Sequence, residues 1–327
     1  MKKLLAILLV ALCMFSLFAN GSSESSSKSQ DVYFTIGTAG TSGALYPMGI
    51  AMAQTLTDHI PNWYVTGEAT AASIANIKGL KDGSFKMAIS QTEVASLAYR
   101  GIGGYEGKAV PELRALFSTI YNYLQVFTLE GKGINSIEDL RGKVVSLGSA
   151  GSGGQMMAQI LLESYGITLK DISAQYMSEA DGVSAIKDGK IDALIATNPI
   201  NSASLKELVT SAKAKMLPVE NDAFYNEIPA YTKYTLPAGT YDGINYDVII
   251  PKARIIMITT TDALTEEEAY LATKTIWENR DEWASSAKAV SRDVILDTAL
   301  EEIDIPLHPG AKRYFEEIGK EIPQNLR

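Results

Sequence analysis

The sequence predicts an α/β protein of two lobes, and two observations carry that expectation. Apolar, β-rich runs alternate with segments of helical spacing, the pattern of parallel βαβ units. One local design, strand then glycine-rich turn then helix, also occurs twice. Val32-Tyr33-Phe34-Thr35-Ile36 runs into Gly37-Thr38-Ala39-Gly40-Thr41-Ser42-Gly43, and Lys143-Val144-Val145-Ser146-Leu147 runs into Gly148-Ser149-Ala150-Gly151-Ser152-Gly153-Gly154. Met48, Ile50, Met52 and Leu56 follow the first turn at helical spacing, with Tyr46 and Pro47 opening the helix; Met156, Met157, Ile160 and Leu161 follow the second. Such turns offer backbone N–H groups and hydroxyls at the positive end of a helix dipole, which suits an anion. Two of them suggest two lobes facing each other across one ligand.

Composition narrows the class. The chain has 327 residues, enough for one large domain or two ordinary ones, and its 46% apolar content describes a globular protein with ample core. A net charge of −9 argues against nucleic acid, which demands clustered Lys and Arg, but leaves room for a small anion in a locally positive cradle. Residues 1–21 read as a signal peptide: Lys2 and Lys3, an apolar run from Leu4 to Phe18, then Ala19-Asn20-Gly21. The run is shorter than the ~20 residues of a spanning helix, so export is expected. Cys13, the only cysteine, lies inside that run behind bulky Leu12, a poor match to a lipoprotein site. The mature chain therefore has no disulfide and no thiolate metal site. Residues 22–30 are a Ser-rich flexible leader.

In order, Trp63–Gly67 reads as a strand, Ile74, Ile77 and Leu80 as a helix stopped near Asp82-Gly83, and Lys86–Ser90 as a strand with Gln91 just beyond it. Ligands of such sheets sit past the carboxyl ends of strands, so Gln91 is either a ligand contact or a helix-capping amide. Gly101–Gly107 is a loop. Leu113–Thr119 and Leu124–Leu129 read as two strands separated by Tyr121, Asn122 and Tyr123. Ser136–Gly142 reads as a short capped helix that delivers the chain to the second glycine turn. Gly166 closes the helix after that turn, Ile172–Met177 is a strand, and Val183–Ile186 lies in a helix ended by Gly189. Ile191–Thr197 is a strand with Asn198 and Pro199 past its end, matching Gln91 in the first half. Leu205–Lys213 reads as helix, Lys215–Val219 as strand, 229–251 as loop and edge, and Arg254–Thr260 as a strand returning to the first lobe. Thr265 and Glu268 have capping-box spacing at the start of a long helix through Trp277 and Trp283. Helical patterns follow over 290–303 and 309–320. Lobe one is expected at 31–130 plus 251–327, lobe two at 131–250.

Enzymatic readings fit the motifs poorly. Neither glycine turn ends in Gly-Lys-Ser/Thr, the spacing of Gly37, Gly40 and Gly43 is not that of a dinucleotide fold, and no serine stands in Gly-x-Ser-x-Gly. His59 and His308 are the only histidines; the first reads as a capping or surface residue and the second as structural. No metal site or cofactor is called for. Trp63, Trp277 and Trp283 fit core positions.

The segment Ile36–Pro47 resembles the signature of the TAXI branch of TRAP-transporter solute receptors. Ile137–Gly148 with the Ser-Gly turn after it, Asp188–Ala193, Pro237–Tyr241 and Ile305–Ala311 resemble further segments of that family. The resemblance covers nearly the whole mature chain. It implies a type II periplasmic-binding-protein-like fold with a two-strand hinge and a ligand cleft between lobes. It also implies an extracytoplasmic receptor that passes a small carboxylate, a dicarboxylate or an amino acid such as glutamate or 2-oxoglutarate, to a sodium-dependent TRAP permease. Gly37, Thr38, Thr41, Ser42 and Tyr46 match the first motif and Ser149, Gly151, Ser152 and Gly153 the second. Gly40 and Thr197 join them in the expected ligand shell, with Gln91, Tyr121 and Asn198 setting specificity. Leu45 stands where the family usually has a Tyr, and Ala39 and Ala44 replace small residues there, which bears on ligand identity. The protein is expected to act as a monomer. Rival readings are an exported α/β enzyme acting on a small anion and a sensory binding protein without a transporter.

Overall fold

The computed structural model describes residues 31–41, 43–287 and 291–327. The expected signal peptide and leader over 1–30, Cys13 among them, lie outside the described residues, as does Ser42. In chain order the strands and helices are β1 (Val32–Gly37), α1 (Leu45–His59), β2 (Trp63–Glu68), α2 (Ser73–Lys81), β3 (Met87–Gln91), α3 (Thr92–Arg100) and β4 (Leu113–Leu129). There follow β5 (Val144–Ser146), α4 (Gly153–Ser164), β6 (Ser173–Gln175), α5 (Glu179–Lys187), β7 (Ala193–Asn198), α6 (Ala203–Ser211), β8 (Ala214–Leu217) and α7 (Asp222–Glu227). The chain ends with β9 (Thr232–Leu236), β10 (Val248–Thr260), α8 (Glu266–Glu278), α9 (Arg280–Ala284) and α10 (Pro309–Glu317).

Local chemistry accounts for most boundaries. Helix α1 starts at Leu45, so Pro47 is its third residue; it still falls among the first four positions, whose N–H groups have no acceptor within a helix. The capping box forms at α8, with Thr265 Oγ1 accepting from Glu268 N–H and Glu268 Oε2 accepting from Thr265 N–H. At α10, His308 Nδ1 accepts from Gly310 N–H at 3.2 Å while Nε2 faces the Leu264 carbonyl at 3.2 Å, so this ring is a structural cap. His59 ends α1 and reaches Glu282 at 3.0 Å. Trp63, Trp277 and Trp283 are buried in the core.

The ten strands form one sheet in the order β2-β1-β3-β10-β4-β7-β5-β6, with β8 added to β4 and β9 to β10. Pairing is parallel among β1, β2 and β3 and among β5, β6 and β7. Between these two parallel halves run β4 and β10, antiparallel to each other and to their neighbours. Residues 255–258 of β10 pair with β3 and residues 248–252 with β9; residues 123–128 of β4 pair with β7. Two long strands thus serve both halves, the two-strand hinge of a type II fold.

Five expectations need correction. Leu113–Leu129 is one strand, not two, with Tyr121, Asn122 and Tyr123 inside it. The register between β4 and β10 slips between Arg254 and Ile256, a bulge that bends the strands without ending them. Arg254, with no exposed surface, fills that bulge. Its Nη1 donates to the Thr119 carbonyl at 2.8 Å, its Nη2 meets Glu301 Oε2 at 3.0 Å, and its guanidinium lies over the Tyr121 ring 3.7 Å from the centroid. Second, β9 is the edge expected within 229–251, but β10 already begins there at Val248 and pairs with it, not at Arg254. Third, the described part of 290–303 forms short 3₁₀ turns, not a helix. The carbonyls a helix would use are taken elsewhere: Ser291 and Val294 accept from Arg280, and Thr298 and Ala299 accept from Ser118. Fourth, the long helix divides at Asn279, whose Nδ2 donates to Thr275 O at 2.9 Å, and Trp283 Nε1 donates back to Ile276 O. Fifth, Ser136–Gly142 holds only a 3₁₀ turn, Glu138–Leu140.

Replacing Arg254 by Ala leaves the Thr119 carbonyl without this donor and a cavity beside Tyr121. The expected cost is about 2–4 kcal/mol, read as a lower denaturant midpoint with an unchanged slope.

Candidate binding site

Apart from Ile255 of β10, the segments that line one cavity come from or follow the carboxyl ends of parallel strands, where an open α/β sheet leaves a crevice. Ala39, Gly40 and Leu45 come after β1, Thr70 to Ser73 after β2, and Ser90 and Gln91 from the end of β3. From the other half come Gly148, Ser149, Ser152 and Gly154 after β5, Glu179 after β6, and Leu194 to Asn198 from β7. The cavity measures about 150 Å³. Both glycine turns therefore open onto one shared space.

Within the first turn, residues divide between facing the cavity and holding the loop. Gly37 is packed so closely that an added Cβ would lie 2.7 Å from Asn76 Oδ1 and from the Phe85 ring. Thr38 is fully buried and donates to the Glu68 carbonyl at 2.6 Å, so its hydroxyl ties β1 to β2. Asn76 fastens the assembly: its Nδ2 donates to the carbonyls of Thr38 and Ile89, each at 2.7 Å, and its Oδ1 accepts from Thr70. Gly40 lines the cavity; Thr41 is exposed and Tyr46 half-buried in the first turn of α1, and neither is among the lining residues.

In the second turn Ser152 caps α4, its Oγ accepting from Gln155 N–H at 3.0 Å, and Ser149 and Ser152 both line the cavity. Gly151 has φ +72° and donates its N–H to Gln155 Oε1 at 2.7 Å, shaping the turn from outside. Gly153, the first residue of α4, sits against the other half: a Cβ there would lie 2.1 Å from Gln91 Oε1 and 2.9 Å from Ser73 Oγ. A Cβ on Gly154 would lie 2.5 Å from Thr197 Oγ1.

Gln91 is the N-cap residue of α3 yet makes no side-chain cap bond. It is 6% exposed, lines the cavity, and its Oε1 has no hydrogen-bond partner, so the capping explanation fails. Thr197 and Asn198 line the cavity; Tyr121 does not, because its ring is the platform for Arg254. Glu179 was not anticipated. It opens α5 behind the N-cap Ser178, and its carboxylate accepts from Asn198, Ser204 and, at 2.9 Å, Ser202. Burial raises its pKa, and those three hydrogen bonds oppose the rise. Among the described lining residues it is the only ionisable one, with no Lys, Arg or His. A sequence signal existed: Ser178 and Asp181 have the spacing of a helix start just past β6. The Thr70–Ser73 contribution follows β2 in the same way.

Ala72 holds φ +68° and ψ −143°, a region that essentially belongs to glycine. Its N–H donates to Thr70 Oγ1 at 2.9 Å and its carbonyl accepts from Asn76 N–H at 2.9 Å, which keeps the strained residue in place. Behind Gln91, Glu93 is fully buried, with Oε1 accepting from Tyr231 Oη at 2.7 Å and Oε2 unpartnered.

The fold and this interlobe crevice define the class: a type II periplasmic-binding-protein fold. The chain belongs to the NMT1-like family, whose match spans residues 36–319. A solved structure from Bordetella bronchiseptica RB50 superposes with a TM-score of 0.55 at 16% identity, covering 88% of this chain and 98% of its own. One from the GshT–TcyBC glutathione import system of Streptococcus mutans gives 0.51 at 15% identity, covering 82% and 99%. A Xanthomonas citri protein bound to ATP gives 0.51 at 14% identity, covering 88% and 95%. At these identities the likeness is one of fold. No helix among the described residues is long and apolar enough to cross a membrane, and no group of three or more potential metal ligands occurs among them.

Two outcomes are expected here. Ala72→Gly relieves the backbone and should raise unfolding free energy by about 1 kcal/mol after the entropic cost of glycine, measured by chemical denaturation. Burial, with a smaller contribution from Glu302, pushes the Glu93 carboxyl up from 4.5 to about 7. The folded state therefore holds that proton more tightly than the unfolded one, and its stability falls as pH rises through the interval between those values. The full loss is on the order of 3 kcal/mol, and Glu93→Gln should flatten the slope of stability against pH between 4.5 and 7.5.

Proposed function

We propose that this chain is an extracytoplasmic solute-binding protein that captures a small carboxylate between two lobes and delivers it to a membrane permease. The observation that carries the reading is the convergence of both glycine turns, and of the N-termini of α1 and α4, on one cavity. The first N–H groups of each helix have no intrahelical acceptor, so a carboxylate there would gain charge-assisted hydrogen bonds worth on the order of 1.5–3 kcal/mol each. The lobes would be 31–130 plus 251–327 and 131–250, with β4 and β10 crossing between them. A ligand that touches both turns has differential affinity for the closed arrangement, and closure forms the surface a permease reads. The sequence resemblance to TAXI receptors supports a TRAP-type partner, and with it a dicarboxylate or amino acid as cargo. An ABC-type permease is the second reading, because structural neighbours include proteins of ABC transporters. The signal peptide over 1–21 would direct export, and Gly40, Gln91, Ser149, Ser152, Thr197 and Asn198 would contact the ligand.

Gly153→Ala places a methyl group where Gln91 Oε1 now sits and holds the lobes apart. Ligand affinity should fall at least tenfold by titration calorimetry while the circular dichroism spectrum and melting temperature stay near those of the parent. Unchanged affinity would count against capture by closure. In proteoliposomes, uptake driven by a sodium gradient supports the TRAP partner and uptake requiring ATP the ABC one; conversion of the bound solute to product would return the enzyme reading.

A further inference from the structure

The charge balance of the cavity is at odds with a dianionic ligand. Its described lining offers no Lys, Arg or His, and it already contains the Glu179 carboxylate, held only by the neutral donors Asn198, Ser202 and Ser204. Bringing two further carboxylates against that group would add like charge in a desolvated space with no cation to offset it. The unmet need is for a donor. Gln91 lines the same cavity, and its Oε1, buried against Gly153, has no hydrogen-bond partner; a turn of the side chain toward the cavity would let a ligand N–H meet it and end the cost of leaving that acceptor unpaired. A carboxylate and a lone carbonyl oxygen in one small cavity describe a receptor for an ammonium group. The helix N-termini and the Ser149 and Ser152 hydroxyls supply the complementary anion site.

Volume sets the size. About 150 Å³ is the scale of cavity that accepts benzene, a molecule of six heavy atoms. The apolar part of the lining, Leu45, Ile89, Leu194 and Ile255 among it, suits a short uncharged side chain.

We infer that the ligand is a small neutral α-amino acid, its ammonium held by Glu179 and Gln91 and its single carboxylate by the start of α4. The inference rests on the solute-binding reading above and narrows its cargo from carboxylates in general to zwitterions.

Calorimetric titration of the ligand-free, refolded protein decides it. L-Alanine and L-serine should bind at least tenfold more tightly than propionate and lactate, which lack the ammonium, and than succinate, 2-oxoglutarate and L-glutamate, which add a second carboxylate. Glu179→Gln should weaken alanine binding at least tenfold while leaving the weak response to propionate unchanged. Gln91→Ala, which leaves the Ser202–Glu179–Ser204 bracing intact, should weaken it severalfold if the first variant misfolds. Preferential binding of succinate or 2-oxoglutarate would overturn the zwitterion while leaving solute capture standing. Failure of all seven acids to bind would overturn both.

Discussion

The antiparallel pairing of β4 with β10 is the constraint on which the remaining architecture depends. Each half of the sheet is a parallel set; β10 borders the first and β4 the second, and the pairing of these two strands joins the halves. Strands continuous through a junction would normally resist bending. Here the register slip beside Arg254 supplies local twist, and the Arg254 side chain satisfies the Thr119 carbonyl that the slip leaves out of the ladder. The arginine in turn needs the face of Tyr121 and the Glu301 carboxylate.

The crevice follows from that junction. With both parallel halves presenting carboxyl strand ends to the same gap, the chemistry of the gap is the chemistry of loops and helix starts: backbone amides, small hydroxyls, the amides of Gln91 and Asn198 and the Glu179 carboxylate. Glycine matters where one half approaches the other: no residue with a Cβ could sit at Gly153 while Gln91 and Ser73 keep their places. Polar side chains buried behind the loops, Asn76 and Thr38 in particular, hold the first turn rigid so that it is shaped before anything enters.

Much of this could be read in the chain, for identifiable reasons. Strand, glycine turn and helix announce themselves through a change of period from two to 3.6, and both glycine turns were visible on that basis. Ser149 and Ser152 stood out in the glycine turn after a strand and Gln91 and Asn198 by their places at strand ends, and all four line the cavity. Thr38 and Tyr121 drew attention by type and motif, yet their partners come from residues distant in sequence, Glu68 and Arg254, which no local pattern reports. The Tyr-Asn-Tyr run inside β4 imitated a turn because a bulge braced by a long-range arginine leaves no local signature. The tract after 290 imitated a helix because its spacing is helical; its carbonyls are captured by Arg280 and Ser118, and that competition is tertiary. Glu179 escaped notice because an acid at a helix start usually needs no explanation beyond the dipole.

The place of β10 in the sheet has a consequence for how the molecule is made. Residues 255–258 of β10 separate β3 from β4 in the sheet, and they are synthesised long after both. Until they emerge from the ribosome, two central strands expose bare edges and the first parallel half cannot close against its neighbour. A nascent chain of this topology cannot complete its central sheet through most of its translation, until β10 is made.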